Sequence, residues 1–344
     1  KEDVYMKSVW MAEPAKLEIR EIPVPEISPE EVLLKVEYAG ICGSDLHIYH
    51  NTHSFRFPPV IVGHEVAGTI VKVGSHVERL KVGDRVAVLP MHTCGTCEWC
   101  QKDLPAHCPE RYMPGQDPWI GACVEYLNVD QRLCYQLPED VDTKLGALCE
   151  PLAVAVHALS KIPEDKRDSV LMMGAGAIGH LAVIAAKGMG FQKVIVSDIV
   201  EKNIELALEN GADFGVNVSH KNLAEAIEKK YGDGVQGIVI TAGSKDVLKE
   251  AISVVRKTGY IVTITMAAGD MPFPMVPFIF SESHICASLN YNDADFKQCL
   301  TLLSREKARF EKAITHVVPF EAAQEIFDTL VYKKEPTLKA MFKV

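Results

Sequence analysis

The chain has 344 residues, of which 48% are hydrophobic and 24% charged, so it holds enough apolar material for two hydrophobic cores. Its formal net charge of −10, with no basic stripe, argues against a nucleic-acid partner. The longest apolar stretch, SVLMMGAGAIGHLAVIAAKGMG, is interrupted by five glycines and a histidine and starts like a strand, which argues against a membrane span.

In chain order, the first half contains short β-branched runs bounded by turn residues: EEVLLKVEYAGICG, GHEVAGTIVKVG and GDRVAVLP. These runs predict a compact, β-barrel-like domain. EPLAVAVHAL then predicts an apolar helix. The strands SVLMMGAG, KVIVSD, GIVITAG and GYIVTIT follow, separated by helical stretches, and this alternation is typical of βαβ units and a parallel sheet. From about Leu289 onwards, mixed helix and strand are expected.

The start of the sequence shows no basic region leading into an apolar run, so we expect no secretory signal. Ten cysteines in a chain of this length do not make the dense disulfide framework of a small secreted domain. We therefore expect a cytoplasmic protein in which clustered thiols bind metal. MKSVWMAEP looks like a natural start at Met6, and residues 1–5 are expected to carry no function.

The stretch CGTCEWCQKDLPAHC contains four closely spaced cysteines, Cys94, Cys97, Cys100 and Cys108. Four thiolates at short loop spacings complete a tetrahedral zinc site and leave no position open for a substrate. Unpaired thiols or a disulfide pair are the ordinary alternatives, the spacing does not match ferredoxin clusters, and His107 competes with the last cysteine as a ligand. The pattern predicts a structural zinc that ties down a lobe at about residues 92–110.

A second set of metal-ligand types is spread over three segments: Cys42 in GICGSDLHIYH, His64 and Glu65 in VGHEVAG, and Glu150 in CEPLAVAVHA. Cysteine, histidine and carboxylate around zinc, with one position left to water, is the arrangement that catalysis on an oxygen requires. Taken singly, each residue also has an ordinary explanation as a small buried hydrophobe, a surface acid or a helix cap.

GAGAIG places Gly174, Gly176 and Gly179 between a predicted strand and a predicted helix, the context that a dinucleotide-binding motif needs. The glycines permit a tight turn and close approach of a pyrophosphate. Asp198 ends the next strand, nineteen residues after the third glycine, where a carboxylate accepts hydrogen bonds from the adenosine ribose and repels a 2′-phosphate. The alternative is a glycine-rich turn with a helix-capping aspartate. The context favours NAD over NADP.

With these motifs in place, the sequence resembles the zinc-dependent medium-chain dehydrogenase family over essentially its whole length, in its polyol and butanediol branch. The resemblance implies an α/β protein with a GroES-like β-rich catalytic domain and a Rossmann domain with a doubly wound parallel sheet. The implied bounds are 1–155 with 290–344 for the catalytic domain and 156–289 for the Rossmann domain. It also implies two zinc ions per chain and hydride transfer between NAD and an alcohol in a cleft between the domains.

The resemblance carries roles to individual positions. Cys42 and His64 fall on catalytic zinc ligands, and either Glu65 or Glu150 reaches the metal, directly or through water. Further matches are the proton-relay positions Ser44 and His47, the cleft residue Tyr49, and the cofactor positions Ile178, Asn203, Thr265, Met266, Leu289 and Asn290. Asn203 departs from the family, which usually carries Arg or Lys there, and this puts one adenosine contact in doubt.

The implied reaction is oxidation of a secondary alcohol, a small polyol or vicinal diol, to the ketone. Sorbitol-type members carry an Arg-Tyr pair where this chain has Asn290 and Tyr291, so short diols are expected ahead of hexitols. L-Threonine 3-dehydrogenase-like activity is the alternative, and a zinc-free quinone reductase or a non-catalytic NADP-binding relative is disfavoured by the metal ligands. The expected partner is a small alcohol or ketone, and the chain is expected to form a homo-oligomer, a dimer or a tetramer.

Overall fold

In the computed structural model of the chain, residues 4–265 and 270–344 are described. In these residues the strands are β1 Tyr5–Glu13, β2 Lys16–Pro23, β3 Glu31–Gly40, β4 Val60–Ile61, β5 Glu65–Val73, β6 Arg85–Val88, β7 Tyr126–Asp130, β8 Cys134–Gln136, β9 Ser169–Met173, β10 Lys193–Asp198, β11 Phe214–Asn217, β12 Val235–Ile240, β13 Val255–Thr263, β14 His284–Ala287, β15 Ile314–Val318 and β16 Lys339–Lys343. The α-helices are α1 Gly43–Tyr49, α2 Glu98–Gln101, α3 Thr143–Gly146, α4 Cys149–Ser160, α5 Ala177–Gly188, α6 Glu201–Glu209, α7 Leu223–Tyr231, α8 Val247–Val254, α9 Met275–Ser281, α10 Asp293–Arg305, α11 Lys307–Ala313 and α12 Ala323–Tyr332.

The chain forms two compact units. Within the described residues, the first unit consists of residues 4–151, Asn292–Lys307 and Ile314–Val344, and the second of Leu152–Tyr291 and Ala308–Ala313. Residues 308–313 belong to the second unit, and the domain bounds implied by the resemblance stay a prediction. The first unit is therefore built from both ends of the chain.

The first unit is β-rich. Its larger sheet runs β15-β16-β3-β5-β6-β8, with β7 paired to β3, and a smaller sheet runs β2-β1-β4. Burial alternates along β3, so that one face packs against the core while the other carries polar side chains. This core contains Val32, Leu34, Leu127 and Phe342, all fully buried. The β3–β5 register pairs Gly40 with Glu65, so the sequence motif around His64 begins opposite the end of β3.

The second unit contains a six-stranded parallel sheet in the order β11-β10-β9-β12-β13-β14. The order reverses direction at β9, which is the doubly wound arrangement of dinucleotide-binding folds. All five residues of β9 are buried because helices cover both faces of such a sheet. The carboxyl end of β9 leads directly into the glycine motif, and this is the position at which doubly wound sheets bind ligands. In the described parts of the chain, no helix is both long and apolar enough to cross a bilayer.

Candidate metal centres and dinucleotide site

The four-cysteine lobe brings its sulfur atoms into one cluster. Cys94 Sγ lies 3.6 Å from Cys108 Sγ and 4.0 Å from Cys100 Sγ, and Cys97 Sγ lies 3.6 Å from Cys100 Sγ. Four sulfurs at 2.3 Å from a tetrahedral zinc would be about 3.8 Å apart, so the set fits the ion. The lobe is held by a short segment: Cys97 caps helix α2, and its backbone N–H donates to Cys94 Sγ at 3.3 Å.

Backbone amides also set the charge in this lobe. Hydrogen bonds from the N–H groups of Thr96 and Cys97 lower the pKa of the Cys94 thiol to about 6. Burial raises the pKa of Cys100 to about 11. The lobe therefore stabilises one thiolate by its own backbone before any metal binds, and a zinc ion would favour ionisation of the others.

The second candidate group comprises Cys42, His64 and Glu65, whose ligand atoms lie within 4.8 Å of one another. Cys42 caps the start of α1 immediately after β3, and Glu65 is the first residue of β5. His64 is 4% exposed and Glu65 fully buried. In the part of the chain that the structure describes, His64 Nδ1 and Glu65 Oε1 have no hydrogen-bond partner. Buried polar atoms without partners are costly, so this donor set fits a metal ion.

Lys339 faces this second group from strand β16. Its ammonium pairs with Glu65 Oε2 and donates a hydrogen bond to the Ile41 carbonyl at 2.8 Å, and the side chain is almost completely buried. Burial acts to lower the pKa of Lys339, but the charges of Glu65 and Cys42 more than compensate and raise it. Lys339 is therefore a buried cation beside two metal-ligand candidates, which the sequence reading missed.

Asp45 supports the same group from the first turn of α1. Its Oδ2 accepts a hydrogen bond from the Cys42 N–H at 2.9 Å, and its Oδ1 lies 4.0 Å from His64 Nδ1. Asp45 is 1% exposed. At this separation the contact with His64 is electrostatic rather than a hydrogen bond, so Asp45 places a buried negative charge beside the ring. The capping position, three residues after Cys42, is the sequence signal that would have identified Asp45.

The predicted relay residues Ser44 and His47 lie on α1 but have different hydrogen-bond partners. The Ser44 hydroxyl accepts from Arg56 Nη2 at 3.0 Å, whereas His47 Nδ1 lies 3.2 Å from Thr52 Oγ1. Arg56 is 6% exposed and lies in a loop that the sequence reading left without a role. Burial raises the pKa of the Cys42 thiol to about 11, and a hydrogen bond from Ser44 acts in the opposite direction.

Glu150 and Tyr49 take positions outside the 4.8 Å group. Glu150 lies in the first turn of α4 and is largely buried, and its charge contributes to the raised pKa of Lys339. The Tyr49 ring is buried in the core, stacked on Phe327 at 6.2 Å between centroids, and its hydroxyl donates to Asp328 at 2.7 Å. The structure thus brings Glu65, and not Glu150, together with the cysteine and the histidine.

The glycine motif follows β9 as its spacing predicts. Gly174 has a φ of +111°, and a Cβ atom there would lie 2.7 Å from the Ala242 Cβ. A Cβ on Gly179 would lie 1.9 Å from the Gly174 carbonyl oxygen, so this glycine allows α5 to pack closely on the turn. Gly176 caps α5 and is exposed, with open space around it. The N-terminus of α5 therefore presents free backbone N–H groups, as a pyrophosphate site requires.

Asp198 ends β10 beside this turn. Its Oδ2 accepts from the Ala175 N–H at 2.6 Å and its Oδ1 from the Val200 N–H at 2.8 Å, so the carboxylate is fixed by the backbone on both sides. Each oxygen keeps a further lone pair for a ribose hydroxyl. The remaining predicted cofactor positions in this unit are Ile178 and Asn203 on helices, half-buried Thr265, exposed Leu289, and Asn290 with a φ of +52°. Met266 lies outside the described residues.

Comparison with known proteins agrees with this geometry. The alcohol dehydrogenase GroES-like domain family matches residues 28–139, and the zinc-binding dehydrogenase family matches residues 177–305. A sorbitol dehydrogenase of Bacillus subtilis (strain 168) is 33% identical over 341 residues, covering 98% of this chain and 96% of the relative. The chain belongs to the zinc-binding alcohol dehydrogenases.

Solved structures extend the likeness to three dimensions. A short chain alcohol dehydrogenase from Escherichia coli CFT073, complexed with NADH, superposes with a TM-score of 0.91 at 31% identity and covers 99% of both chains. The 2R,3R-butanediol dehydrogenase of Bacillus subtilis superposes with a TM-score of 0.90 at 27% identity, covering 98% of this chain and 99% of that one. The predicted family, the combination of GroES-like and Rossmann folds, and the oxidoreductase activity of this zinc-binding alcohol dehydrogenase are confirmed.

Proposed function

We propose that this dehydrogenase oxidises a secondary alcohol of a short vicinal diol or small polyol to the ketone and transfers the hydride to NAD. The observation that carries the proposal is the buried group of Cys42, His64 and Glu65, placed in the same unit as a separate four-thiol lobe. Three mixed ligands with an open position are typical of catalytic zinc, whereas four thiolates are typical of structural zinc.

Cys42, His64 and Glu65 would hold the catalytic ion, and Cys94, Cys97, Cys100 and Cys108 the structural one. When bound, the catalytic zinc supplies a Lewis acid that stabilises negative charge developing on an alcohol oxygen. The protein residues contribute position: Asp45 fixes the Cys42 backbone and faces His64. His64 and Glu65 are buried whereas Cys42 is half-buried, so bulk water is excluded from the histidine and glutamate side of the group.

Removal of the alcohol proton is assigned to Ser44 and His47. The Ser44 hydroxyl accepts a hydrogen bond from Arg56 and donates its own hydrogen toward Cys42, so rotation of this hydrogen away from the thiol would let it pass on a proton received from the substrate. His47 is exposed at the end of α1 and can exchange a proton with solvent. Ser44 and His47 lie on the same helix but have separate hydrogen-bond partners, so the link between them is part of the proposal, and the Arg56 contact orients Ser44.

The second unit would bind NAD through the turn at Gly174, Gly176 and Gly179. The exposed N-terminus of α5 offers N–H groups to the pyrophosphate, and Asp198 offers acceptors to the ribose hydroxyls. When bound, the nicotinamide supplies the hydride acceptor. A carboxylate fixed at this strand end also repels a 2′-phosphate, which supports NAD over NADP.

The substrate class is supported by the named relatives, which include a sorbitol dehydrogenase and a butanediol dehydrogenase. Asn290 adds an argument from this chain. Its φ of +52° lies in the left-handed region, which asparagine adopts more readily than arginine, so an arginine anchor for a long polyol is disfavoured there. An amide offers neither the charge nor the reach of a guanidinium.

Values of kcat/KM with NAD for butane-2,3-diol, xylitol, sorbitol, L-threonine and ethanol test this proposal. We expect butane-2,3-diol and xylitol to exceed sorbitol, and all three to exceed ethanol by tenfold or more. Zinc analysis of the same preparation should give close to two ions per chain. A preference for L-threonine would show that the protein oxidises amino alcohols instead. Absence of zinc together with absence of turnover would refute the proposal.

We propose further that two copies of the chain associate through the second unit. Strand β14 is an edge of the parallel sheet, and α9, which packs against the neighbouring strand β13, exposes Val276, Ile279 and Phe280 at 63%, 60% and 76%. An open strand edge flanked by large apolar side chains is typical of a protein–protein contact. Light scattering after size exclusion should give a dimer or tetramer, and Phe280→Glu should shift it towards monomer, whereas the exposed-surface control Tyr332→Glu in the first unit should not.

We also place the protein in the cytoplasm. This is supported by the ten cysteines, all of which are unbridged, including the four thiols of the lobe. A reducing compartment keeps such thiols available to metal. Fractionation of cells that produce the full chain tests this, and recovery outside the cytoplasm with oxidised cysteines would contradict it.

A further inference from the structure

The carboxylate of Glu65 occupies space that exists only because residue 40 is a glycine. Gly40 ends β3 directly opposite Glu65 in the β3–β5 register. A Cβ atom on Gly40 would lie 2.0 Å from Glu65 Oε2 and 3.1 Å from its carboxyl carbon. The 2.0 Å separation is too short for two atoms that are not bonded, so an alanine at position 40 would force the carboxylate to move.

The same carboxylate oxygen is also paired with a cation. The Lys339 ammonium pairs with Glu65 Oε2 and is fixed by the Ile41 carbonyl at 2.8 Å. Lys339 is 3% exposed, so water does not screen the pair. Its position is set by the backbone: Met341 on β16 pairs with Gly40, and the Ile41 N–H donates to the Ala340 carbonyl.

We propose that Gly40 and Lys339 are positioning residues for Glu65 and that they change the zinc affinity of the site in opposite directions. This inference rests on the proposed zinc site. Gly40 provides the space in which the carboxylate lies beside Cys42 and His64. Lys339 holds one oxygen of that carboxylate and competes with the metal for its negative charge. The affinity of this site for zinc is thus set by two residues that do not touch the ion.

The opposite effects of Lys339 and Gly40 on zinc affinity follow from electrostatic repulsion and steric overlap. A cation a few ångströms from a dication site repels it, and a carboxylate oxygen already paired with an ammonium is a weaker donor. Removing Lys339 leaves an unpaired buried carboxylate in the metal-free protein, and bound zinc relieves this. Lys339→Met should therefore raise zinc affinity, whereas Gly40→Ala displaces the carboxylate and should lower it.

The experiment measures zinc affinity of the purified full chain by competition with a chromogenic chelator. The zinc that is lost in Cys42→Ser is assigned to the group of Cys42, His64 and Glu65. The zinc that remains belongs to the four-cysteine lobe, and its affinity serves as the internal reference. We expect an affinity at least tenfold higher in Lys339→Met and at least tenfold lower in Gly40→Ala, in line with the effect of outer-shell partners. Lys339→Arg, which keeps the charge, should stay within about threefold of wild type.

Matched controls separate these effects from general destabilisation. Lys343→Met removes an exposed lysine from the same strand, and Gly43→Ala adds a Cβ with nothing within 4 Å, so both should leave zinc affinity unchanged. Thermal unfolding with and without zinc gives a second readout: Lys339→Met should destabilise the metal-free protein more than the zinc-loaded one.

Three results would overturn the inference. Unchanged or lower zinc affinity in folded Lys339→Met, or unchanged affinity in Gly40→Ala, with normal wild-type turnover, would refute the positioning roles and leave the proposed function intact. Wild-type protein without a zinc that depends on Cys42 would refute the proposed function and the inference together. If Lys339→Met does not fold, Gly40→Ala against Gly43→Ala decides the question alone.

Discussion

Cys42 and Cys94 are both zinc-ligand candidates, yet their surroundings push their thiols in opposite directions. Burial raises the pKa of Cys42 to about 11, whereas backbone N–H groups lower that of Cys94 to about 6. The four-cysteine lobe thus stabilises negative charge at Cys94 by its own backbone, although burial raises the pKa of Cys100 to about 11. In the other group, the charge of Lys339 pairs with Glu65 and acts against the effect of burial on the Cys42 thiol. A site whose backbone stabilises a thiolate fits a structural role. A site with buried ionisable groups whose pKa values are strongly shifted fits a reactive role.

The largest effect is expected from removing one sulfur from the group of Cys42, His64 and Glu65. Cys42→Ser should reduce kcat by about a thousandfold or more, because the Lewis acid is lost. NAD affinity should stay within about twofold, since the glycine motif belongs to the other unit. Steady-state kinetics, NADH fluorescence titration and zinc content are the measurements. Substantial turnover by this variant would show that Cys42 is not a metal ligand.

The acidity of the two thiols can be compared directly in zinc-free protein. At pH 7.5 Cys94 is largely thiolate, whereas Cys42 is almost entirely protonated, because their pKa values are about 6 and about 11. Iodoacetamide should therefore modify Cys94 at least about a hundredfold faster than Cys42. Peptide mass spectrometry over a time course measures both. The rate at Cys94 should fall as pH drops below about 6, and equal rates at the two sites would contradict the contrast.

Removing one sulfur from the lobe should affect stability rather than chemistry. Cys97→Ser should lose one zinc and lower the thermal midpoint by about 10 °C, because structural zinc contributes directly to folding. The soluble fraction should keep kcat within about threefold. Calorimetry, zinc analysis and kinetics on the same sample check this. A variant with normal stability and no turnover would reverse the roles of the two groups.

The smallest effect is expected from a substitution in the dinucleotide site, outside both metal groups. Asp198→Gly removes two acceptors beside the glycine turn and a charge that opposes a 2′-phosphate. We expect the NAD-over-NADP preference in kcat/KM to narrow by about tenfold, with zinc content unchanged and the thermal midpoint lowered by a few degrees, because two backbone N–H groups lose their acceptor. Asp233→Gly, at an exposed turn of the same unit, is the control. Faster turnover of the wild-type protein with NADP than with NAD would show that Asp198 does not select against the 2′-phosphate.

Local patterns were sufficient to predict the parts of the site that are local in sequence. The lobe, the glycine motif and the helix after Cys42 are short segments whose spacing determines their geometry. The choice between Glu65 and Glu150 stayed open because it depends on strand register: Gly40 pairs with Glu65, while Glu150 starts a helix. Tyr49 was expected in a cleft, and the structure places its ring against Phe327, a contact between distant segments.

Lys339 could not be found from the sequence for the same reason. It lies in KAMFK, which looks like an ordinary strand with a polar start, and no nearby motif links it to the metal ligands. Its role depends on the pairing of β16 with β3, which brings together residues from both ends of the chain. Arg56 is a similar case, since its buried contact with Ser44 depends on a loop without regular structure.

The distance along the chain between the parts of each metal group has a consequence for the order of folding. Cys94 and Cys108 are separated by 14 positions, whereas Lys339 and the Ile41 carbonyl that holds it are separated by 298. Closing a short loop costs little entropy and takes little time, so a nascent chain can capture zinc in the lobe as soon as that segment leaves the ribosome. The buried group acquires its counter-charge only when β16 has been synthesised and has docked. Catalytic competence would then require β16, long after the segment that holds the structural metal has been synthesised.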